Sequence, residues 1–269
     1  MSGSVGYYLT MTAQDGARKA ADNPVVENGA RAGFAASGVL HLLMAWLALR
    51  LAWGQYHGEA DQSGAFQALA STTAGVILLG VLAAGLFLLG LWNLLQAFLA
   101  RHELKDALRF ASLTVVYAVL GVGAALVATG GQSSSSQRSK DITAAMMGNA
   151  AGTVLVVVVG LVVVIIGGFH IYKGVTGKYR DDLRHQPSSA VVLVAILGYV
   201  AKGVALLVVG ALFWVAVATH DPQKASGMDG ALRALLGLPL GRLLLSVVAL
   251  GLVAYGIYAF TRAKHRELP

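Results

Sequence analysis

Six long apolar stretches recur along the 269 residues of this chain, and they constrain its fold more than any other feature. A helix needs about 20 mostly apolar residues to cross the hydrocarbon layer of a membrane. The chain is 57% hydrophobic and only 12% charged, which is more apolar surface than a soluble core can absorb. We therefore expect an all-α polytopic membrane protein whose six transmembrane helices are Gly33–Trp53, Gly75–Phe98, Phe110–Thr129, Asn149–Tyr172, Gly198–Ala218 and Leu240–Phe260.

The basic residues predict the orientation of these spans. Six spans place both termini on one side of the membrane. The terminal segments and the two short connections on the same side carry about twice as many Lys and Arg residues as the remaining connections, which by the positive-inside rule makes them cytoplasmic. Because these charges gather beside apolar spans, the net charge of +7 is better explained by topology and anionic lipid than by nucleic acid.

The six spans form three parallel copies of a two-helix unit with pseudo-threefold arrangement. In each even span a glycine is followed two residues later by an aromatic residue, which we interpret as part of the interfacial aromatic belt: Trp92, Phe169 and Tyr258. The glycines aligned within the odd and even spans predict close helix packing: Gly38, Gly90, Gly167, Gly203 and Gly256. In the odd span of the middle copy, Thr114 takes the place of the glycine.

This repeat divides the chain into a polar cytoplasmic N-terminal segment, 1–29, and three repeats at 30–105, 106–185 and 186–269, all in one membrane domain. The last repeat ends in a short basic tail. We expect span one to pair with span two, span three with span four, and span five with span six.

A short amphipathic helix in the outer interface is predicted before each even span. Its expected N-caps are Ser63 or Asp61 in the first repeat, Asp141 in the second and Asp229 in the third, because their side-chain oxygens can accept from first-turn amides. The segment 130–137, rich in Gly and Ser, has the composition of a flexible linker, so we expect a mobile outer loop there.

The residues that open the repeats resemble a known family. The resemblance rests on Ala30–Leu40 and Gly198–Val204, and on the later segment Asp229–Leu235. These segments are similar to those of actinobacterial membrane proteins known as domain of unknown function 1206, which carry the two-helix unit in triplicate. The resemblance covers nearly the whole chain after about Ala20. It implies a bacterial inner-membrane location and a six-span fold, with no activity to transfer.

Lys202 is the most informative charge, and two interpretations of it are open. Such units often carry a basic residue here, but Ser37 and Leu113 stand at this position in the other two repeats. If the fifth span begins at Gly198, Lys202 lies about one turn inside the cytoplasmic edge and can snorkel to the headgroups. If the span begins at Ala190, the ammonium lies near mid-membrane, where it costs about 2.5–3.5 kcal/mol and implies a partner or a cavity. The repeat register favours the first alternative.

His41 and His170 are the other pocket candidates within the spans. Histidine can titrate near neutral pH or ligate a metal or haem, but neither residue recurs in the repeat. A haem-binding electron-transfer protein is therefore the weaker alternative, and a buried, hydrogen-bonded histidine is favoured. We predict no cofactor and no metal site.

Three further polar residues could line a pocket. Asn93 and Gln96 lie one turn apart in the second span, where interhelical hydrogen bonding also explains them. Arg50, near the outer end of the first span, could close an anion site, although a side chain reaching the interface is the simpler interpretation.

The chain has no cysteine and no recognisable catalytic constellation, and its acidic residues are confined to the tail and loops, so we do not expect an enzyme. The leading hypothesis is a membrane protein that binds lipid or a partner membrane protein, as an accessory or assembly subunit. The alternative is a small-solute or ion transporter or channel, because internal repeats are common in transporters.

Overall fold

A computed structural model describes residues 24–99, 103–182 and 188–265 of the chain. Within these residues it is helical throughout, with no β-strand. The α-helices are α1 (Pro24–Ala52), α2 (Gln62–Ala70), α3 (Thr73–Leu99), α4 (Leu104–Ala128), α5 (Ser135–Met147), α6 (Ala150–Val175), α7 (Ser189–Ala218), α8 (Gly227–Leu236) and α9 (Gly241–His265). Two short 3₁₀ helices, Lys178–Asp182 and Pro222–Lys224, lie in the connections.

Six of these helices are long and apolar enough to span a membrane, which confirms the predicted six-span fold. They are α1, α3, α4, α6, α7 and α9. The helix of the fifth span begins well before the predicted start, because α7 begins at Ser189 rather than Gly198. The intervening residues are apolar and contain neither proline nor glycine, so nothing in the sequence ends the helix there.

The three short helices α2, α5 and α8 each connect an odd span to the following even span. We call the face of the bundle that carries them the short-helix side and the opposite face the termini side. The N-cap prediction is confirmed for α2, where Asp61 Oδ1 accepts from the amides of Ser63 at 2.9 Å and Gly64 at 3.3 Å. These bonds satisfy two of the amides that a helix start leaves unpaired.

The N-cap prediction is wrong for the other two short helices. Helix α5 begins at Ser135 and is capped by Ser134, so Asp141 lies in its interior. The segment 130–137, which was expected to be a mobile loop, therefore ends in the first turn of α5. Ser134 and Ser135 at this turn hydrogen-bond to Glu59 and Ser63. Helix α8 begins at Gly227, and Asp229 lies within its first turn.

The spans do not pair as the repeat suggested. Helix α3 packs along α4, α6 along α7, and α9 along α1, so each even span packs on the odd span of the next repeat. The predicted pairing is wrong for the first two repeats, since within the described residues α1 barely touches α3 and α4 barely touches α6. In the third repeat α7 and α9 do pack. A short helix such as nine-residue α2, about 13 Å long, separates the ends of the two spans that it connects.

Glycines of the repeat meet at two of these interfaces. A methyl group built on Gly203 of α7 would lie 2.6 Å from the carbonyl oxygen of Gly167 on α6. At the equivalent contact between α9 and α1, a methyl on Gly256 would lie 3.0 Å from the carbonyl oxygen of Gly38. Only glycine permits backbones to approach so closely, and this approach sets the relative height of the neighbouring helices.

The third equivalent contact, between α3 and α4, is looser. A methyl on Gly90 would lie 3.8 Å from the carbonyl oxygen of Thr114 and 3.6 Å from the β-carbon of Tyr117, both ordinary contact distances. Thr114 occupies the position held by glycine in the other two odd spans, and its larger side chain accounts for the wider spacing. The pseudo-threefold arrangement therefore contains two close glycine contacts between helices and one wider contact, between α3 and α4.

Candidate functional site

The ammonium of Lys202 on α7 contacts an aromatic ring on α9. It lies 4.2 Å from the ring centroid of Tyr255 on α9, within cation–π range. Lys202 is half-buried and is the fourteenth residue of α7, about 20 Å along the helix from Ser189. In the part of the chain that the structure describes, no carboxylate forms an ion pair with it. Lys202 therefore places a positive charge inside the bundle, and the described group that contacts this charge is the ring of Tyr255.

Two histidines flank this lysine from neighbouring helices. His41 on α1 and His170 on α6 both lie close enough to Lys202 to interact with it electrostatically. The Nδ1 of His41 is 2.7 Å from the carbonyl oxygen of Ser37, and the Nδ1 of His170 is 2.8 Å from that of Ile166. Because a carbonyl can only accept, Nδ1 of each ring carries the hydrogen, which leaves Nε2 available to a ligand.

Tyrosine rings connect the two histidines. The His41 ring contacts Tyr255 with centroids 4.6 Å apart, Tyr255 contacts Tyr199 at 5.4 Å, and Tyr199 contacts His170 at 5.8 Å. The path between the imidazoles thus runs through two tyrosines, whereas two axial ligands of one haem iron would face each other across the metal. We call Lys202, His41, His170, Tyr199 and Tyr255 the Lys202 cluster.

The termini side of the Lys202 cluster is covered by a buried tyrosine pair. Tyr179, in the 3₁₀ helix after α6, and Tyr258 on α9 are both 0% exposed. The hydroxyl of Tyr258 donates to the carbonyl oxygen of Tyr179 at 2.8 Å, and the Tyr179 ring stacks on Tyr199 with centroids 6.3 Å apart. The aromatic-belt interpretation is therefore wrong for Tyr258, because its ring and hydroxyl both have partners in the interior.

Sequence reasoning missed the tyrosines of this site. Tyr199 aligns with Phe34 and Phe110, so the repeat marked its position as aromatic but gave no reason for a site. Tyr255 occupies a position held by an aliphatic residue in the other two repeats. An aromatic residue that departs from the repeat, one residue before an aligned glycine, was the available signal.

The remaining sequence candidates lie apart from the Lys202 cluster. Asn93 is buried on α3, and its side-chain amide donates to the carbonyl of Leu89 in its own helix at 2.7 Å. Gln96 lies half-buried one turn further along α3. Arg50 is on the short-helix side, where it donates to the carbonyl of Gln55 at 2.9 Å.

Arg50 also stacks on aromatic rings, with its guanidinium carbon 4.9 Å from the Trp46 ring and 5.5 Å from that of Tyr56. These contacts fit an interfacial anchor and do not add Arg50 to an anion site. Among the described residues, no group of three or more His, Asp or Glu side chains could hold a metal ion.

Comparison with known proteins agrees with the repeat. The family model described as Domain of Unknown Function (DUF1206) matches residues 32–100, 108–177 and 197–266, one match for each pair of spans. An uncharacterized protein, YxxB of Bacillus subtilis strain 168, is 35% identical over 71 residues, which make up 26% of this chain and 26% of that protein. That similarity covers only a minor part of either protein. No solved structure matches the chain. The actinobacterial origin stays a prediction. Because the three family matches cover most of the sequence, the prediction of the family itself is confirmed, and the chain belongs to the DUF1206 family.

Proposed function

We propose that this protein is a non-enzymatic membrane protein that binds the anionic headgroup of a membrane lipid at the Lys202 cluster. The observation that carries the proposal is the ammonium of Lys202, which lies among helices and rests on the ring of Tyr255 without a described carboxylate. An anion that enters the cluster would supply the missing countercharge.

The free-energy cost of placing the ammonium in the membrane favours a lysine that binds a ligand over a lysine with a purely structural role. An ammonium within a membrane costs about 2.5–3.5 kcal/mol on insertion scales. A cation–π contact returns about 0.5–2 kcal/mol, so the contact with Tyr255 offsets only part of this cost. His41 and His170 both interact electrostatically with this lysine. The hydroxyl of Tyr255 can donate to a phosphate oxygen, whereas Nε2 of each neutral histidine can only accept, for example from a hydroxyl of a glycerol headgroup.

The surroundings of the cluster support a lipid rather than a small anion from water. Tyr179 and Tyr258 cover the cluster on the termini side and are hydrogen-bonded to each other. Laterally, α1 barely touches α3, and the termini half of α3 exposes apolar side chains such as Leu88 and Leu91. A headgroup that arrives with its acyl chains in the membrane meets less obstruction than a hydrated ion.

The experiment is lipid retention by purified protein, measured by native mass spectrometry in mild detergent. We expect the wild type to retain phosphatidylglycerol in preference to phosphatidylcholine and Lys202→Gln to lose about tenfold in affinity, equivalent to about 1.4 kcal/mol. The matched control is Lys178→Gln, which removes an equal charge from an exposed residue on the same side.

Equal retention by the wild type and Lys202→Gln would overturn the proposal. So would displacement of the lipid by inorganic phosphate alone, since that result identifies a soluble anion as the ligand. A membrane protein that co-purifies with the wild type and is lost in Lys202→Gln would replace the lipid by a partner that supplies a carboxylate.

We further propose that the termini side faces the cytoplasm of a bacterial cell, which would place the Lys202 cluster in the half of the membrane nearer the inner leaflet. The excess of Lys and Arg in the terminal segments and in the connections on that side supports this orientation. Fusions of green fluorescent protein and of alkaline phosphatase to the C-terminus test it. Fluorescence without phosphatase activity is expected, and the reverse result would invert the orientation.

A further inference from the structure

The short-helix side holds a second polar cluster, which ties the three repeats together. In its first half, the loop between α1 and α2 contacts the start of α5. The carboxylate of Glu59 accepts from the hydroxyl of Ser134 and from the amide of Ser135 at 3.2 Å. The hydroxyl of Ser63 accepts from the same amide at 3.0 Å. The first repeat is thereby joined to the second.

In the second half of this cluster, the same loop contacts α8 of the third repeat. Asp229 accepts from the amide of Ala60 at 2.9 Å through one carboxylate oxygen and from Arg233 at 2.8 Å through the other. Arg233 also donates to the carbonyl of Gly58 at 2.7 Å. We call these contacts of residues 58–63 with Ser134, Ser135, Asp229 and Arg233 the clasp.

Asp61 lies at the centre of the clasp and is only 2% exposed. Its Oδ1 caps α2, whereas its Oδ2 is buried and has no hydrogen-bond partner. An ionised carboxylate oxygen without a donor is among the most unfavourable groups to bury. A proton on Oδ2 removes the charge and leaves the N-cap bonds of Oδ1 in place.

The charges around Asp61 also favour the protonated form. Glu59 of the same loop and Asp229 of α8 both act on it as like charges. Tyr56 of the same loop also interacts electrostatically with Asp61. The described arginines on this side bond other groups: Arg233 bonds Asp229, Arg138 donates to the hydroxyl of Ser133 at 2.7 Å, and Arg50 donates to the carbonyl of Gln55 at 2.9 Å. Burial, followed by the charge of Glu59, raises the pKa of Asp61 to about 7.

We propose that Asp61 is a protonation site that holds a proton on Oδ2 while the clasp is closed, and that release of this proton to water opens the clasp. The loop 58–63 then separates from Ser134 and Ser135 on one side and from Asp229 on the other. Opening loosens the contact between repeats on the short-helix side. The clasp therefore makes the association of the three repeats sensitive to pH on that side of the membrane.

The sign of the pH dependence follows from linkage. In the open clasp Asp61 is hydrated and its pKa returns to about 4, the ordinary value of an aspartate. The closed form binds more protons than the open form between these two values, so closure is complete at low pH and weakens as the pH rises towards 7. Above the pKa of the closed form, the opening equilibrium no longer changes with pH.

Single-cysteine labelling tests this inference, because the native chain has no cysteine. Ser136→Cys places a thiol at a buried position in the first turn of α5, next to the clasp, and Gln132→Cys places one at an exposed position nearby. The labelling rate of the buried thiol by a maleimide is divided by that of the exposed thiol, which corrects for the pH dependence of the thiol itself. Full-length protein in phosphatidylcholine nanodiscs is used throughout.

We expect this ratio to rise by about tenfold for each pH unit between pH 5 and pH 7, and to level off above pH 7. Asp61→Asn preserves the cap oxygen and resembles the protonated acid, so its ratio should be low and independent of pH. A ratio that is flat in the wild-type background, or that rises equally with Asp61→Asn, would overturn the proposal. If Asp61→Asn does not fold, Glu59→Gln provides the second variant, and a pH curve unchanged by it is also an overturning result.

Discussion

Gly203 and Gly167 bring two helix backbones into direct contact, since a methyl group on Gly203 would stand 2.6 Å from the carbonyl oxygen of Gly167. Such proximity increases dispersion contact and permits Cα–H···O interactions between the helices. The equivalent pair Gly38 and Gly256 joins the last span to the first. Contacts between successive repeats, rather than within them, therefore close most of the bundle.

Alanine at this contact should destabilise the bundle. A methyl on Gly167 would lie 2.9 Å from the carbonyl oxygen of Gly203, so Gly167→Ala must push α6 from α7 and should cost about 1–3 kcal/mol of unfolding free energy. The adjacent Gly168 meets nothing within 4 Å. Gly168→Ala should be neutral or gain up to about 1 kcal/mol from helix propensity. Thermal unfolding midpoints in detergent provide the measurement, and similar midpoints for the two variants would contradict the assignment of the contact.

The hydroxyl of Tyr258 should hold the segment that covers the Lys202 cluster. Tyr258→Phe removes the buried hydrogen bond to the carbonyl of Tyr179 and should cost about 1–2 kcal/mol. Trypsin reports the effect locally, because the exposed residues Lys178 and Arg180 flank Tyr179. We expect faster cleavage after these residues in Tyr258→Phe than in the wild type.

The control for that measurement is Tyr172→Phe, which removes a hydroxyl from a residue that is 47% exposed. Its cleavage rate should equal that of the wild type. If both variants are cut at the wild-type rate, the Tyr258 hydroxyl does not hold the covering segment.

The sequence predicted the six spans and the depth at which their glycines pack, but it did not predict which helices pack against each other. Length and hydropathy identify a span because each must match the thickness of the hydrocarbon layer. They do not identify which faces meet, since all six helices are apolar almost all round. The aligned glycines marked the depth of close contact, yet nothing in their spacing indicated that Gly167 meets Gly203 of the following repeat.

The sequence indicated the Lys202 cluster and the clasp only in part, and the reasons differ. Lys202 was visible as a charge within an apolar stretch, but its contact with Tyr255 depends on how α7 meets α9. The serines at 133–135 have the composition of a linker, and only tertiary hydrogen bonds with Glu59 and Ser63 show that they are part of the clasp. Short polar segments of this kind take their structure from their partners, so local composition is a weak guide to them.

Thermal stability should fall as the pH rises towards neutrality. Because the folded protein raises the pKa of Asp61 to about 7, it binds this proton more strongly than the unfolded chain does. The stabilisation is complete below about pH 4 and is lost as the pH approaches 7, after which this contribution is constant. We expect the unfolding midpoint of the wild type to be higher at pH 5 than at pH 8.

Asp61→Asn should abolish most of that difference, whereas Asp141→Asn, at an exposed position on α5, should preserve it. Differential scanning fluorimetry at matched ionic strength makes the comparison. A pH dependence that is the same in both variants would assign the effect to other groups.

Replacement of Lys202 by an apolar residue should stabilise the lipid-free protein while it weakens lipid binding. The insertion cost of the ammonium exceeds the return from one cation–π contact by about 0.5–3 kcal/mol, and Lys202→Met removes both terms while keeping most of the length of the side chain. Unfolding midpoints are compared after exhaustive delipidation, with Lys178→Met as the control, because Lys178 is exposed and its loss should change little. Addition of phosphatidylglycerol should then raise the midpoint of the wild type more than that of Lys202→Met, since ligand binding to the folded state stabilises it by mass action. A lipid-free Lys202→Met protein that is less stable than the wild type would mean that the lysine is held for packing, and the physical basis for a ligand at the Lys202 cluster would be lost.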